Sequence, residues 1–186
     1  TIYTGGGTGG FCSFDLVTGA ANLIVDTQPL NAEMEMAVQV GVDVSVGDNY
    51  CMANPNSTGA MGSISAIGSP SAAANNLTLT ASSLPNQSFG YFLTSMMQGF
   101  VPNPAGSAGN LCLGGQVGRY VGAGQIQNTG VAGEFSLTLD LTQTPQPNGL
   151  VSIQAGETWN FTAWHRDTSA MGPTSNFTDG LEIAFQ

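Results

Sequence analysis

The side chains best equipped for chemistry crowd into residues 158–167 (TWNFTAWHRD), where Trp159, Asn160, Trp164, His165, Arg166 and Asp167 follow one another closely. Read as a strand, this segment places Trp159, Phe161, Ala163 and His165 on one face and Asn160, Thr162, Trp164 and Arg166 on the other. The first face is core. The second lines up an amide, an indole and a guanidinium, the set a sugar platform uses: an aromatic surface for the apolar side of a pyranose and planar donors for its hydroxyls. Asn160, Trp164 and Arg166 are therefore the candidate ligand platform. The plainer and preferred reading has Trp164 closing a second hydrophobic layer and Arg166 pairing with an acid such as Glu157 or Asp179.

His165 beside Asp167 invites a Ser–His–Asp reading. A catalytic serine sits on a sharp turn with an oxyanion hole, and no Gly-x-Ser-x-Gly occurs in the chain. Two neighbours at i and i+2 on one strand do not make a triad, so no catalytic residue is assigned. Carboxylates offer a third possibility: Glu33 and Glu35 alternate, with Asp26, Asp43 and Asp48 near them in sequence. Calcium, which takes several carboxylate and carbonyl oxygens, is the functional use that suits Glu33, Glu35, Asp43 and Asp48. No Asp-x-Asp-x-Asp-Gly loop is present, and solvated acids on exposed edges are the preferred reading. No other cofactor is expected.

Composition narrows the field further. The 186 residues carry twelve acids against two bases, Arg119 and Arg166, with no lysine and one histidine, for a net charge of −10. Two cations cannot neutralise a phosphate backbone or hold an anionic lipid surface, so nucleic-acid binding is excluded as a partner class. P-loop and Schiff-base chemistry lack their lysine. No apolar run approaches the roughly 18 residues of a membrane span. The chain opens at Thr1 without a leader-like segment, and three cysteines suit a secreted domain with one bridge and one odd thiol. Which two pair is open on spacing alone. Asn-x-Ser/Thr sequons at Asn56, Asn76, Asn86, Asn160 and Asn176 could carry glycan on a surface poor in charge.

The elements that must position these groups read as strands. Twenty-six glycines and nine prolines are spread so evenly that no stretch sustains helical periodicity. Residues 1–10 form a flexible Gly-rich arm, and apolar runs at 14–17 and 23–25 flank a hairpin turn. Met36, Val38, Val40, Val42, Val44 and Val46 then alternate with small or polar residues, describing one long strand with a single apolar face. Short strands follow at 63–67, 77–81, 90–94, 111–113, 135–141, 158–166 and 181–185, with Pro, Asn and Gly in the turns. The expected fold is all-β, an antiparallel sandwich of immunoglobulin-like or jelly-roll-like type. The expected organisation is an arm over 1–10, N-terminal strands over 11–49 and a body over 50–186.

From Tyr50 onward the chain resembles a module found at the C-terminal ends of large secreted surface proteins of planctomycetes and related environmental bacteria. The resemblance is carried by Tyr50-Cys51, Pro55-Asn56-Ser57-Thr58-Gly59, Gly90-Tyr91-Phe92, Leu111-Cys112-Leu113-Gly114-Gly115 and Arg119. It continues through Gly156-Glu157-Thr158-Trp159-Asn160-Phe161, Trp164, Arg166-Asp167 and Asp179-Gly180-Leu181. It implies a bridge between Cys51 and Cys112, leaving Cys12 as the odd thiol, and it brings no established activity with it.

Residues 1–49 lie outside that resemblance. Their strands either complete the chain's own sandwich or add to the sheet of a neighbouring copy, with Met36 to Val46 as the assembly strand, and the absence of lysine leaves such edges unguarded. The expectation is a secreted, non-enzymatic subunit of an extracellular filament or cell-surface appendage whose partner is itself. The alternative is a carbohydrate-binding module that takes a polysaccharide at Asn160, Trp164 and Arg166. Six of the twelve acids, and no base, fall in the first 48 residues. Contacts made there must be apolar, backbone-mediated or bridged by cations.

Overall fold

A computed structural model describes residues 45–186 and, in the N-terminal part, the strands at 2–5, 10–14 and 21–26. The chain divides into two compact units, residues 1–42 and 43–186. In the first, β1 (Ile2–Gly5), β2 (Gly10–Phe14) and β3 (Ala21–Asp26) form a three-stranded antiparallel sheet in that order. Residues 2–5, expected in a flexible arm, are thus a strand in register with β2, Ile2 facing Phe14 and Gly5 facing Phe11. The hairpin expected between 14–17 and 23–25 corresponds to β2 and β3, the first strand lying earlier than its apolar run suggests. The long alternating strand over 36–46 lies outside the described residues except for Ser45 and Val46.

The division after Val42 moves residues 43–49 out of the N-terminal strands and into the body. Val46 is buried in the body's core, and its amide donates to Ala66 O at 2.9 Å. The body runs through β4 (Asp48–Tyr50), β5 (Ser63–Ile67), β6 (Thr78–Ser82), β7 (Phe89–Ser95), β8 (Met97–Pro102) and β9 (Asn110–Gly114). Then come β10 (Gly118–Arg119), β11 (Gln127–Asn128), β12 (Phe135–Thr138), β13 (Thr144–Gln146) and β14 (Gly149–Val151). Last are β15 (Thr158–Ser169), β16 (Gly172–Phe177) and β17 (Gly180–Ala184). The fold is all-β, and among the described residues every strand pairing is antiparallel.

The central seven-stranded sheet is organised on β15, whose twelve residues pair with β7 along one edge and with β17 and then β16 along the other. Beneath it lies the sheet β12-β6-β5. The two share one apolar core of Ile64, Leu79, Phe92, Phe135, Trp159, Phe161, Leu181 and Ile183 among others. Phe92 and Phe135 meet across that gap, their ring centroids 4.9 Å apart. Alternation decides which side chains reach it: β5 and β6 each bury every second residue there. Gly90 is required by this packing, because a Cβ there would strike the Phe135 ring and Trp164 O.

A third layer covers the other face. The β8–β9 ribbon, a separate two-stranded sheet, packs Leu111 and Leu113 against Leu93, Phe177, Tyr91 and Trp164. The Cys51–Cys112 disulfide, with Cα atoms 6.1 Å apart, ties the centre of β9 to the end of β4, and Tyr50 Oη donates to Cys112 O at 2.8 Å. The pairing implied by the sequence resemblance is therefore present.

The strand expected over 135–141 pairs only to Thr138. Beyond it Leu139 and Leu141 stay buried in the main core, and Leu139 N donates to Leu77 O at 2.9 Å. Side-chain alternation outlasts the ladder there, so the pattern marks the correct faces and overstates the strand's length.

Candidate functional site

The 158–166 platform is the first site to correct. β15 is buried on both faces, because the ribbon supplies a layer that its alternation does not announce. Asn160 is only 1% exposed, between Ser95 of β7 and Glu182 of β17 in register. Trp164 is half-buried and stacked on Tyr91, centroids 5.0 Å apart at 29°. Arg166 alone of the three is exposed. An amide sealed inside cannot hydrogen-bond an incoming sugar, so Asn160, Trp164 and Arg166 do not make an open platform. Trp164 closes the second hydrophobic layer. Arg166 does not bind the acids suggested for it, which hold the fold in other ways. Glu157 accepts from Trp159 Nε1 and Gln154 N, both at 2.9 Å, and Asp179 accepts from Ile64 N at 2.8 Å and Asn49 Nδ2 at 3.1 Å.

His165 is fully buried, its Nδ1 lies 3.1 Å from Arg166 O, and its Nε2 has no partner among the described residues. Burial pushes the imidazole pKa down, with the Arg166 carbonyl and the Asp167 charge opposing in part. Asp167 serves the 51–62 loop, accepting from Ser57 N at 3.0 Å, Thr168 N at 2.8 Å and Asn176 Nδ2 at 3.3 Å. Burial raises the Asp167 pKa, yet those hydrogen bonds outweigh it and hold the carboxyl below its ordinary value. Asn54, Asn110 and Asn176 continue the network, Asn110 Nδ2 donating to Asn54 Oδ1 at 3.0 Å and Asn176 Nδ2 to Pro55 O at 3.2 Å. Geometrically this is a buried fastening, with no serine nucleophile held by the imidazole.

The sequons divide by burial. Asn56, Asn160 and Asn176 are buried, whereas Asn76 and Asn86 lie on the surface. Asn56 is spent on its own turn, its Oδ1 accepting from Thr58 N and Thr58 Oγ1 while its Nδ2 donates to Ser83 O. Of the proposed calcium ligands, Glu33, Glu35 and Asp43 lie outside the described residues. Asp48 is exposed on β4, in register with Glu182 of β17. Two like charges face each other there across the ladder, and Gln98 Nε2 donates to Glu182 Oε2 at 2.7 Å. Among the described residues no group of three or more His, Cys, Asp or Glu side chains is placed to hold a metal ion, and no helix is long and apolar enough to cross a membrane.

Two further features escaped sequence reasoning. The first is the edge formed by β8. Among the described residues it pairs only with β9, and the register shifts between Gln98 and Val101. Met97 is 59% exposed, Phe100 63% and Val101 43%, with Met96 just before them. No charged side chain lies on β8, and Pro102 and the bulge are what guards it. Its composition gave little warning, since Gln-Gly interrupts the apolar run. The second is a cleft of about 440 Å³ between β10, the 138–140 segment and the β13–β14 hairpin. Arg119 and Asp140 line it together with Gln125, Gln143, Leu137 and Leu150. Its residues come from two stretches, 119–125 and 137–150, that only the fold brings together, so no local spacing could have revealed it.

No family model, curated protein or solved structure matches this chain.

Proposed function

We propose that the protein is a secreted structural subunit of an extracellular filament or cell-surface appendage, joined head to tail by β-strand addition. The observation that carries this reading is the β8 edge: an uncharged strand with Met97, Phe100 and Val101 turned to solvent, in a chain with no lysine to guard it. Single exposed apolar residues are ordinary, but three on one edge strand offer both backbone pairing and side-chain pockets to an added strand. The occupant we assign is a strand from residues 1–42 of a second copy, whose alternation over 36–42 supplies one apolar face; Val46, buried in the core of its own body, drops out of the assembly strand. Such a contact joins different surfaces on the two copies and does not close on itself, so it propagates.

One feature agrees with the secreted setting: the Cys51–Cys112 bridge, which persists in oxidising compartments. The test is Phe100→Asp together with Val101→Lys, which place charges on the edge while leaving the buried face of the ribbon intact. Loss of polymer with unchanged circular dichroism supports the reading, and full assembly by the variant overturns it.

A further inference from the structure

We infer that the Arg119 cleft is a binding site for a neutral sugar residue, separate from the β8 edge and independent of the filament reading. Its volume of about 440 Å³ falls within the range of small-ligand clefts. Its walls are fixed by packing. Gly118 lies so close to the Pro145 carbonyl that a Cβ would collide with that oxygen, and β10 pairs with β7 through Arg119 and Leu93. Arg119 is therefore held on a rigid ladder with its guanidinium exposed.

The polar groups in the cleft are planar and mixed in kind. Asp140 Oδ1 accepts from Thr142 N at 3.0 Å and Thr142 Oγ1 at 2.7 Å, with Asn75 Nδ2 at 3.3 Å. The Thr142 hydroxyl and amide hold this carboxyl below its ordinary pKa, so it stays an ionised acceptor, and all three of these bonds fall on Oδ1 rather than Oδ2. Gln125 Oε1 accepts from Gly122 N at 2.8 Å, which orients its amide and leaves its NH2 to donate. Gln143 is exposed and offers both functions. Leu137 and Leu150 supply an apolar strip beside them.

One cation and one anion in the same cleft cancel in charge while providing paired donors and acceptors. Adjacent hydroxyls on one face of a pyranose need that combination, and the ring's apolar side needs the leucines. An acidic polymer is disfavoured, because the chain carries a net charge of −10 and the cleft's single cation is matched by Asp140.

The test titrates the full chain, by calorimetry and by side-chain amide NMR, with neutral hexaoses of glucose, xylose and mannose and with polygalacturonate. The expected result is saturable binding of at least one neutral hexaose that shifts the Gln125 and Gln143 amide signals. Arg119→Gln should weaken it by about tenfold or more, and Arg166→Gln, which removes the same charge outside the cleft, by less than about twofold. Gln143→Ala, at an exposed position, gives a second reading that does not alter charge. No binding of any neutral hexaose, binding of polygalacturonate alone, or equal effects of the two arginine substitutions would each overturn the assignment.

Discussion

Asn176 of β16, which stands opposite His165 in the ladder, reaches diagonally to Asp167 of β15, its amide donating to Asp167 Oδ2 at 3.3 Å, and between them the two side chains hold the backbone of a loop more than a hundred residues earlier in the chain. Ser57 N binds the same carboxylate, and Asn176 also reaches Pro55 O. Acid and amide residues conspicuous in the sequence are thus consumed in fastening loop 51–62 to the central sheet.

Replacing Asp167 by Ala removes the acceptor shared by Ser57 N, Thr168 N and Asn176 Nδ2, and leaves the buried Asn176 amide with its loop carbonyl partners alone. A loss of about 1–3 kcal/mol follows, read as a lowered unfolding midpoint in urea with an unchanged slope. Wild-type stability in the variant would show that the network is idle.

His165 should make stability fall in mild acid. Burial lowers its folded-state pKa below the unfolded value of about 6.5. The neutral ring therefore contributes stability that is fully present above about pH 6.5 and is lost as pH falls through the folded pKa. Asp167, whose pKa is lowered, adds a loss only below about pH 3.9, and Asp179, whose pKa burial raises, acts in the opposite sense. Thermal melts between pH 7.5 and pH 5 should show a falling Tm that His165→Leu flattens. An identical slope in the variant assigns the effect elsewhere.

The sequence conveyed the strand faces better than the layers. Residues 63–67 and 181–185 were legible because the side chains they bury are apolar and fall at every second position. The ribbon was not legible. Its apolar residues Leu111 and Leu113 are separated in sequence from the Trp164 surface they cover, and only the fold brings them together. The preferred reading, with Trp164 closing a second hydrophobic layer, foresaw that a cover exists but not which residues supply it, and so left Asn160, Trp164 and Arg166 standing as an alternative platform. The Arg119 cleft was missed for a similar reason, since the stretches 119–125 and 137–150 that build it meet only in the fold.

Reduction of the Cys51–Cys112 bridge, which spans 61 residues of sequence, should cost about 2–4 kcal/mol and loosen the ribbon that carries β8. Melts with and without reductant measure it. Coincident transitions would mean that β9 is held by packing alone.

Expression in a host that glycosylates asparagine should yield folded protein modified at Asn76 and Asn86 only, because Asn56, Asn160 and Asn176 are buried. Glycopeptide mass spectrometry of the folded fraction decides it. Occupancy at any of the three buried positions would contradict the burial described here.

The central claim is assembly through an uncharged edge, and negative-stain electron microscopy of the purified protein tests it most directly. Apolar and backbone contacts are not screened by salt, so the account predicts filaments at high protein concentration that persist in about 1 M salt and vanish in the variant carrying Phe100→Asp and Val101→Lys. Uniform monomers at high concentration, or filaments that moderate salt dissolves, would contradict it.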